Sequence, residues 1–242
     1  MTSTDTTLRL PAAGCVYDRW SKSYDATFGR LLIAGHYRAV AQLHLKSGDR
    51  VLDVGVGTGI MLSCFPPDVS VVGLDLSQDM LQAASRRCRA AALDNCHLIR
   101  ADARLPPLAE ESFDHVIISH TISVVSDHER LLTWAARLIR PAGRVVALNH
   151  FRSDRTWIGW LEKRFNPLFV KLGWRSDLAL EEVLATTSLR MVYRFKMHLV
   201  DLWQIIVLQH LDQQPPLPLA VAPPPIDKPA LHAGPSAMAA LD

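Results

Sequence analysis

The stretch RVLDVGVGTGIML, Arg50 to Leu62, sets Gly55, Gly57 and Gly59 at every second position directly after an apolar run that carries Asp53. Glycine lets main-chain amides come close to a bound molecule, and the start of a following helix favours that molecule's anionic part. A pyrophosphate cradle needs GxGxxG, whereas Ile60 follows Gly59 here, so a dinucleotide is not the natural ligand. Asp75, in VVGLDLS, lies about twenty residues on, at the end of the next apolar run, where nucleotide-binding α/β proteins place a carboxylate for ribose hydroxyls. Asp102, in RADA, ends the run after that. Asp53, Asp75 and Asp102 thus line one nucleoside-shaped crevice.

A second group of residues is suited to handling protons. His120 and the pair Asn149-His150 end two later apolar runs, and Tyr17 and Tyr24 stand in the polar and aromatic segment VYDRWSKSYDATFG. An ammonium group must lose a proton before it can act as a nucleophile, which suits a histidine or tyrosine, whereas a carboxylate is already ionised near neutral pH. Cys15, Cys64, Cys88 and Cys96 are scattered, with no CxxC pair and no histidine at ligand spacing. The expectation is reduced thiols, no metal and no disulfide framework.

Such residues need a frame. Short β-rich runs at Arg50–Val54, Val69–Asp75, Cys96–Asp102, Phe113–His120 and Gly143–Phe151 alternate with helical patterns, as in βαβ units around a parallel sheet. The runs are almost wholly apolar, so both faces of the sheet are covered by helices. Ser77 is placed to cap a helix that turns Met80, Leu81, Ala84, Cys88 and Ala91 inward and Arg86, Arg87 and Arg89 to water. SDHE, Ser126 to Glu129, has capping-box spacing and opens a helix ending near Pro141 and Gly143. Farther on, LEEVLATT reads as a helix, and RMVYRFKMHLV and WQIIVLQHL as two strands that close the sheet. The predicted organisation is one α/β domain over 15–212, with a helical lid at 15–48 and an acceptor-side helical insertion at 152–186. A flexible segment at 1–14 precedes it, and a Pro- and Ala-rich disordered tail at 213–242 follows.

The motifs DVGVGTG, GLDLSQDML, RADARLPPLAEESFDHV and LIRPAGRVV, in that order, resemble those of class I S-adenosylmethionine-dependent methyltransferases, over roughly Tyr17 to Asn149. The resemblance implies a Rossmann-like fold with a mostly parallel seven-stranded sheet, S-adenosylmethionine as cofactor and S-adenosylhomocysteine as product. It places Asp53 and the glycines at the methionine end, Asp75 at the ribose, and Asp102 with Ala103 at the adenine. Leu76, Met80 and Ser119 belong to the same crevice, with Tyr17 and Tyr24 as a lid. VYDRWSKSYD, the ISVVSDHERLL run, NHF and KLGWR are similar to bacterial phosphatidylethanolamine N-methyltransferases, which puts His120, Asn149 and His150 near the head of an amphiphile.

A fatty-acid carboxyl O-methyltransferase that makes a volatile quorum-sensing ester is the alternative within the same chemistry. A non-catalytic cofactor-binding scaffold and a nicotinamide oxidoreductase are the alternatives outside it, the second disfavoured by Ile60. Between Arg152 and Arg175, Trp157, Trp160, Phe165, Phe169 and Trp174 alternate with six basic residues, a mixture able to rest on an anionic membrane or to admit an acyl chain. With 26 basic against 24 acidic side chains, the net charge of +2 implies no nucleic-acid partner. No leader and no span of about 18 apolar residues is visible, so the expected location is cytoplasmic, with peripheral reach to the inner membrane face.

Overall fold

The computed structural model describes residues 29–153, 160, 164–165, 177–196 and 203–211, with side chains from 33 onward. Tyr17, Tyr24 and Cys15, the segments 1–14 and 213–242, and most of 152–176 lie outside the described residues. The strands are β1 (Arg50–Val54), β2 (Ser70–Asp75), β3 (Cys96–Arg100), β4 (Phe113–Ser119), β5 (Ile139–Asn149), β6 (Leu189–Lys196) and β7 (Gln204–His210). They form one seven-stranded sheet in the order β3-β2-β1-β4-β5-β7-β6. The first five are parallel, while β7 runs antiparallel between β5 and β6. This is the expected Rossmann-like architecture, and the order reverses at β1, where such sheets leave a crevice beyond their carboxyl ends.

Helices cover both faces. On one, α1 (Gly29–Ala41), a 3-10 helix (Ile60–Cys64) and α2 (Gln78–Ala90) set Val40, Leu62 and Leu81 against Val51, Val71 and Ile117. On the other, α3 (His128–Leu138) and α4 (Leu180–Ala185) pack Leu131, Leu132 and Val183 on Leu52, Val116 and Ile118. Ser77 caps α2, accepting a hydrogen bond from the Met80 amide at 3.3 Å.

Four local expectations change. The helix after the glycine loop is only the five-residue 3-10 segment, because Phe65, which precedes Pro66, turns extended at φ −86°, ψ 142°. The cap of α3 is Asp127, whose side chain accepts from the Arg130 amide, while Ser126 instead accepts a bond from Arg104. That helix stops at Leu138, and β5 begins at Ile139. Phe113 pairs with Ile139 but His115 already pairs with Arg144, so Arg140 to Gly143 bulge out opposite Asp114. Finally, α2 ends at Ala90 with Ala91 exposed, and Arg87 turns from water to the glycine loop, donating to the Thr58 carbonyl at 2.6 Å.

Candidate active site

The crevice is built where β2, β1 and β4 end side by side. Gly55 has φ +74°, and a Cβ there would stand 2.0 Å from Thr121 Oγ1, so that position is closed to any side chain. Gly57 has φ +55°, and the nearest atom to a Cβ would be the Gly55 carbonyl oxygen at 3.9 Å, so its face opens to free space. Gly59, also left-handed, caps the 3-10 helix and packs against Ala84 of α2. Asp75, the last residue of β2, fastens this loop: Oδ2 accepts from the Gly57 amide and Oδ1 from the Ser77 amide, each at 2.9 Å. With the Leu76 amide as a third donor, one of the carboxylate's roughly four acceptor sites stays open for a further donor such as a ribose hydroxyl. Burial pushes the Asp75 carboxyl up, against the opposing pull of the Ser77, Gly57 and Leu76 amides.

Asp53 differs. It is 1% exposed, neither of its oxygens has a hydrogen-bond partner, and burial, followed by the charge of Asp75, pushes its carboxyl up to about 7. A sealed carboxyl without a donor is costly unless a ligand supplies one. The α-ammonium of a methionine moiety would do so, and the open face of Gly57 and the remaining lone pair of Asp75 suit the rest of S-adenosylmethionine. At the neighbouring edge Leu76 is 52% exposed although apolar, while Met80 is buried beneath. Asp102 lies two residues past β3, and its carboxylate is clasped by Arg104 at 2.7 and 3.0 Å, which holds it below the usual carboxylate range. Ala103 is half-buried beside it, and Ser119, the last residue of β4, has a buried Oγ without a partner.

The expected acceptor residues gather at the ends of β4 and β5. His120 takes a left-handed φ of +55°, donates its amide to the Leu148 carbonyl at 2.7 Å and leaves Nε2 buried and unpartnered. Its ring centroid lies 5.8 Å from that of His36 and 6.3 Å, edge-on, from that of Trp203. Burial first, then His36 and His150, pulls its imidazole down to about 3. His150 is buried next to Asn149, whose carboxamide donates to the His150 carbonyl at 2.7 Å and accepts from Ser123. Among the described residues no set of three His, Cys, Asp or Glu side chains could hold a metal ion.

Comparison with known proteins fits this geometry. Residues 52–147 match a family model described as a methyltransferase domain. The phosphatidylethanolamine N-methyltransferase of Cereibacter sphaeroides is 36% identical over 186 residues, 76% of this chain and 91% of that one. The chain is a class I S-adenosylmethionine-dependent methyltransferase. A demethylmenaquinone methyltransferase of Symbiobacterium thermophilum is 32% identical over 143 residues, 55% of this methyltransferase and 57% of its own length. Among solved structures, a SAM-dependent methyltransferase from Aquifex aeolicus shares the fold, with a TM-score of 0.61 at 16% identity over 79% of this chain and 97% of its own. The methyltransferase therefore takes S-adenosylmethionine as methyl donor and releases S-adenosylhomocysteine.

Three residues at the site were not singled out from sequence. His36 interrupts the inward stripe that Ala39 and Val40 of α1 form with Leu43 just beyond it, a polar residue at helical spacing that could have been noticed. Thr121 fills the space that Gly55 leaves and bonds to the Val54 carbonyl at 3.2 Å, and Arg87 braces Thr58 across 29 residues. Neither of the latter two carries a local signal.

Proposed function

We propose that the methyltransferase acts on a lipid-like amphiphile in the manner of a phosphatidylethanolamine N-methyltransferase. The observation that carries this reading is the identity shared with such an enzyme over nine-tenths of that enzyme's length. In the reading, Asp53, Gly55, Gly57 and Gly59 hold the methionine end of the cofactor and Asp75 the ribose. Leu76, Met80, Asp102 and Ala103 surround the adenine, Ser119 borders the crevice, and Tyr17 and Tyr24 close over it.

When bound, the cofactor supplies an electrophilic methyl group on a sulfonium. The protein's share is orientation, since an in-line approach gains most from holding the nucleophile close and aimed. His120 and His150 stand where the acceptor head arrives. His150 receives the proton that an ammonium head must lose, His120 offers an uncharged imidazole, and Asn149 fixes the turn that presents His150. Trp160 and Phe165, 65% and 46% exposed, support peripheral contact between the 152–175 segment and the membrane that holds the acceptor.

Incubation with methyl-labelled cofactor and a total lipid extract tests the proposal. Alkali-stable label in a chloroform-soluble amine head group is the expected result. Label released by base as methanol identifies a fatty carboxyl acceptor instead, and label confined to protein or RNA refutes the amphiphile. The demethylmenaquinone methyltransferase relative favours a second reading, a quinone ring acceptor, which predicts label in the prenylquinone fraction.

A further inference from the structure

α1 presents a stripe at positions 36, 39 and 40 that Leu43 continues just past its end, and Ala39, Val40 and Leu43 fill it with buried apolar surface. The remaining member, His36, is 5% exposed and its Nδ1 has no hydrogen-bond partner. Leaving a buried polar atom unpaired is unfavourable, a cost that an apolar residue in the same stripe would avoid. The ring of His120 lies 5.8 Å away, and its Nε2 is unpaired too. Trp203 also meets His120, edge-on at 6.3 Å, so the two imidazoles belong to one aromatic cluster just past the carboxyl end of β4. Burial draws the His36 imidazole down to about 4 and that of His120 to about 3, which leaves both rings uncharged at neutral pH. An uncharged imidazole has one N–H donor and one lone pair, the complement of a protic head group that both gives and receives hydrogen bonds.

We propose that His36 is an acceptor-positioning residue, which together with His120 seats the protic head of the acceptor before methyl transfer. The proposal rests on the placement of His120 in the acceptor site and adds a residue delivered by α1 rather than by a strand end. It also gives α1 a part in turnover beyond covering the sheet.

Three variants test it: His36→Leu, His36→Asn and His36→Gln. Asparagine keeps a polar atom close to where Nδ1 stands, whereas glutamine places its polar atoms nearer to Nε2. With phosphatidylethanolamine in mixed micelles as acceptor, His36→Leu is expected to lower kcat/KM at least tenfold, chiefly through KM. Its S-adenosylhomocysteine Kd stays within twofold of the parent by calorimetry, and its Tm is equal or higher, because an unpaired polar group has gone. His36→Asn recovers most of the activity and His36→Gln does not. A lowered Tm in His36→Leu, kcat/KM within threefold of the parent, or equal activity of the Asn and Gln variants overturns the proposal. Should the parent label a non-lipid fraction of a cell extract, the lipid reading fails and the variants are compared on that fraction. If it labels no fraction, both fall.

Discussion

A carboxyl group sealed in the sheet without a donor, as Asp53 is, waits for a cation. Its folded value of about 7 lies above that of an unfolded aspartate, so it contributes stability at low pH that is lost as pH rises through about 7. In the proposed binding mode a bound α-ammonium would reverse the preference and drive the proton off. Binding of S-adenosylhomocysteine should therefore tighten as pH rises from about 6 to about 8, with net proton release near pH 6. Calorimetry in phosphate and in Tris reads this directly, since the two buffers take up protons with different heats. Asp53→Asn should remove the buffer dependence and weaken binding about tenfold, roughly 1.4 kcal/mol; an unaltered dependence assigns the proton to another group. Asp75→Ala should weaken binding at least as much and also lower Tm, because it frees the Gly57 and Ser77 amides as well. At this scale Asp53 and Asp75 were legible, since strand-end carboxylates beside a glycine loop have a chemical rationale in one dimension. That Asp53 is unpaired and Asp75 is bonded into the glycine loop was not, because those facts depend on amides brought in by folding.

The glycine loop separates fold from ligand at the level of single elements. Gly55→Ala pushes a methyl into Thr121 and should destabilise the protein by about 3 kcal/mol, read as a shift in urea midpoint. Gly57→Ala meets no neighbour, so its stability loss should stay near the roughly 1–2 kcal/mol of a left-handed alanine while cofactor affinity falls more than tenfold. Equal losses of affinity and stability at both positions would mean that Gly57 does not face the ligand. The strands and α2 were readable from apolar runs and the Ser77 cap, which are local. The bulge at Arg140 to Gly143 and the Asp127 cap were not. Gly143 there comes so close to the Asp114 carbonyl that a Cβ would sit 2.4 Å from it, a constraint imposed by a neighbouring strand.

For the whole molecule, the order of strands matters more than their number. β7 is paired on both sides, through Val145 to Asn149 of β5 and Leu189 to Lys196 of β6. A chain ending before Gln204 should fail to fold cooperatively, whereas one ending after residue 212 retains every described strand. Its Tm should stay within about 2 °C of the full chain with S-adenosylhomocysteine affinity unchanged, measured by scanning calorimetry and titration. No helix among the described residues is long and apolar enough to cross a membrane. Co-sedimentation with vesicles containing anionic lipid should fall when Trp160 and Phe165 are both changed to Ser.

The inserted β7 also bears on how the protein is made. During translation, β1 to β5 emerge with the donor-binding half able to form, but Val145 to Asn149 keep a bare edge until Gln204 to His210 leave the ribosome. An uncovered apolar strand of that kind invites pairing with other nascent chains. Pauses in decoding between these two segments would therefore reduce the yield of correctly closed sheet, even in a sequence whose finished form is fully stable.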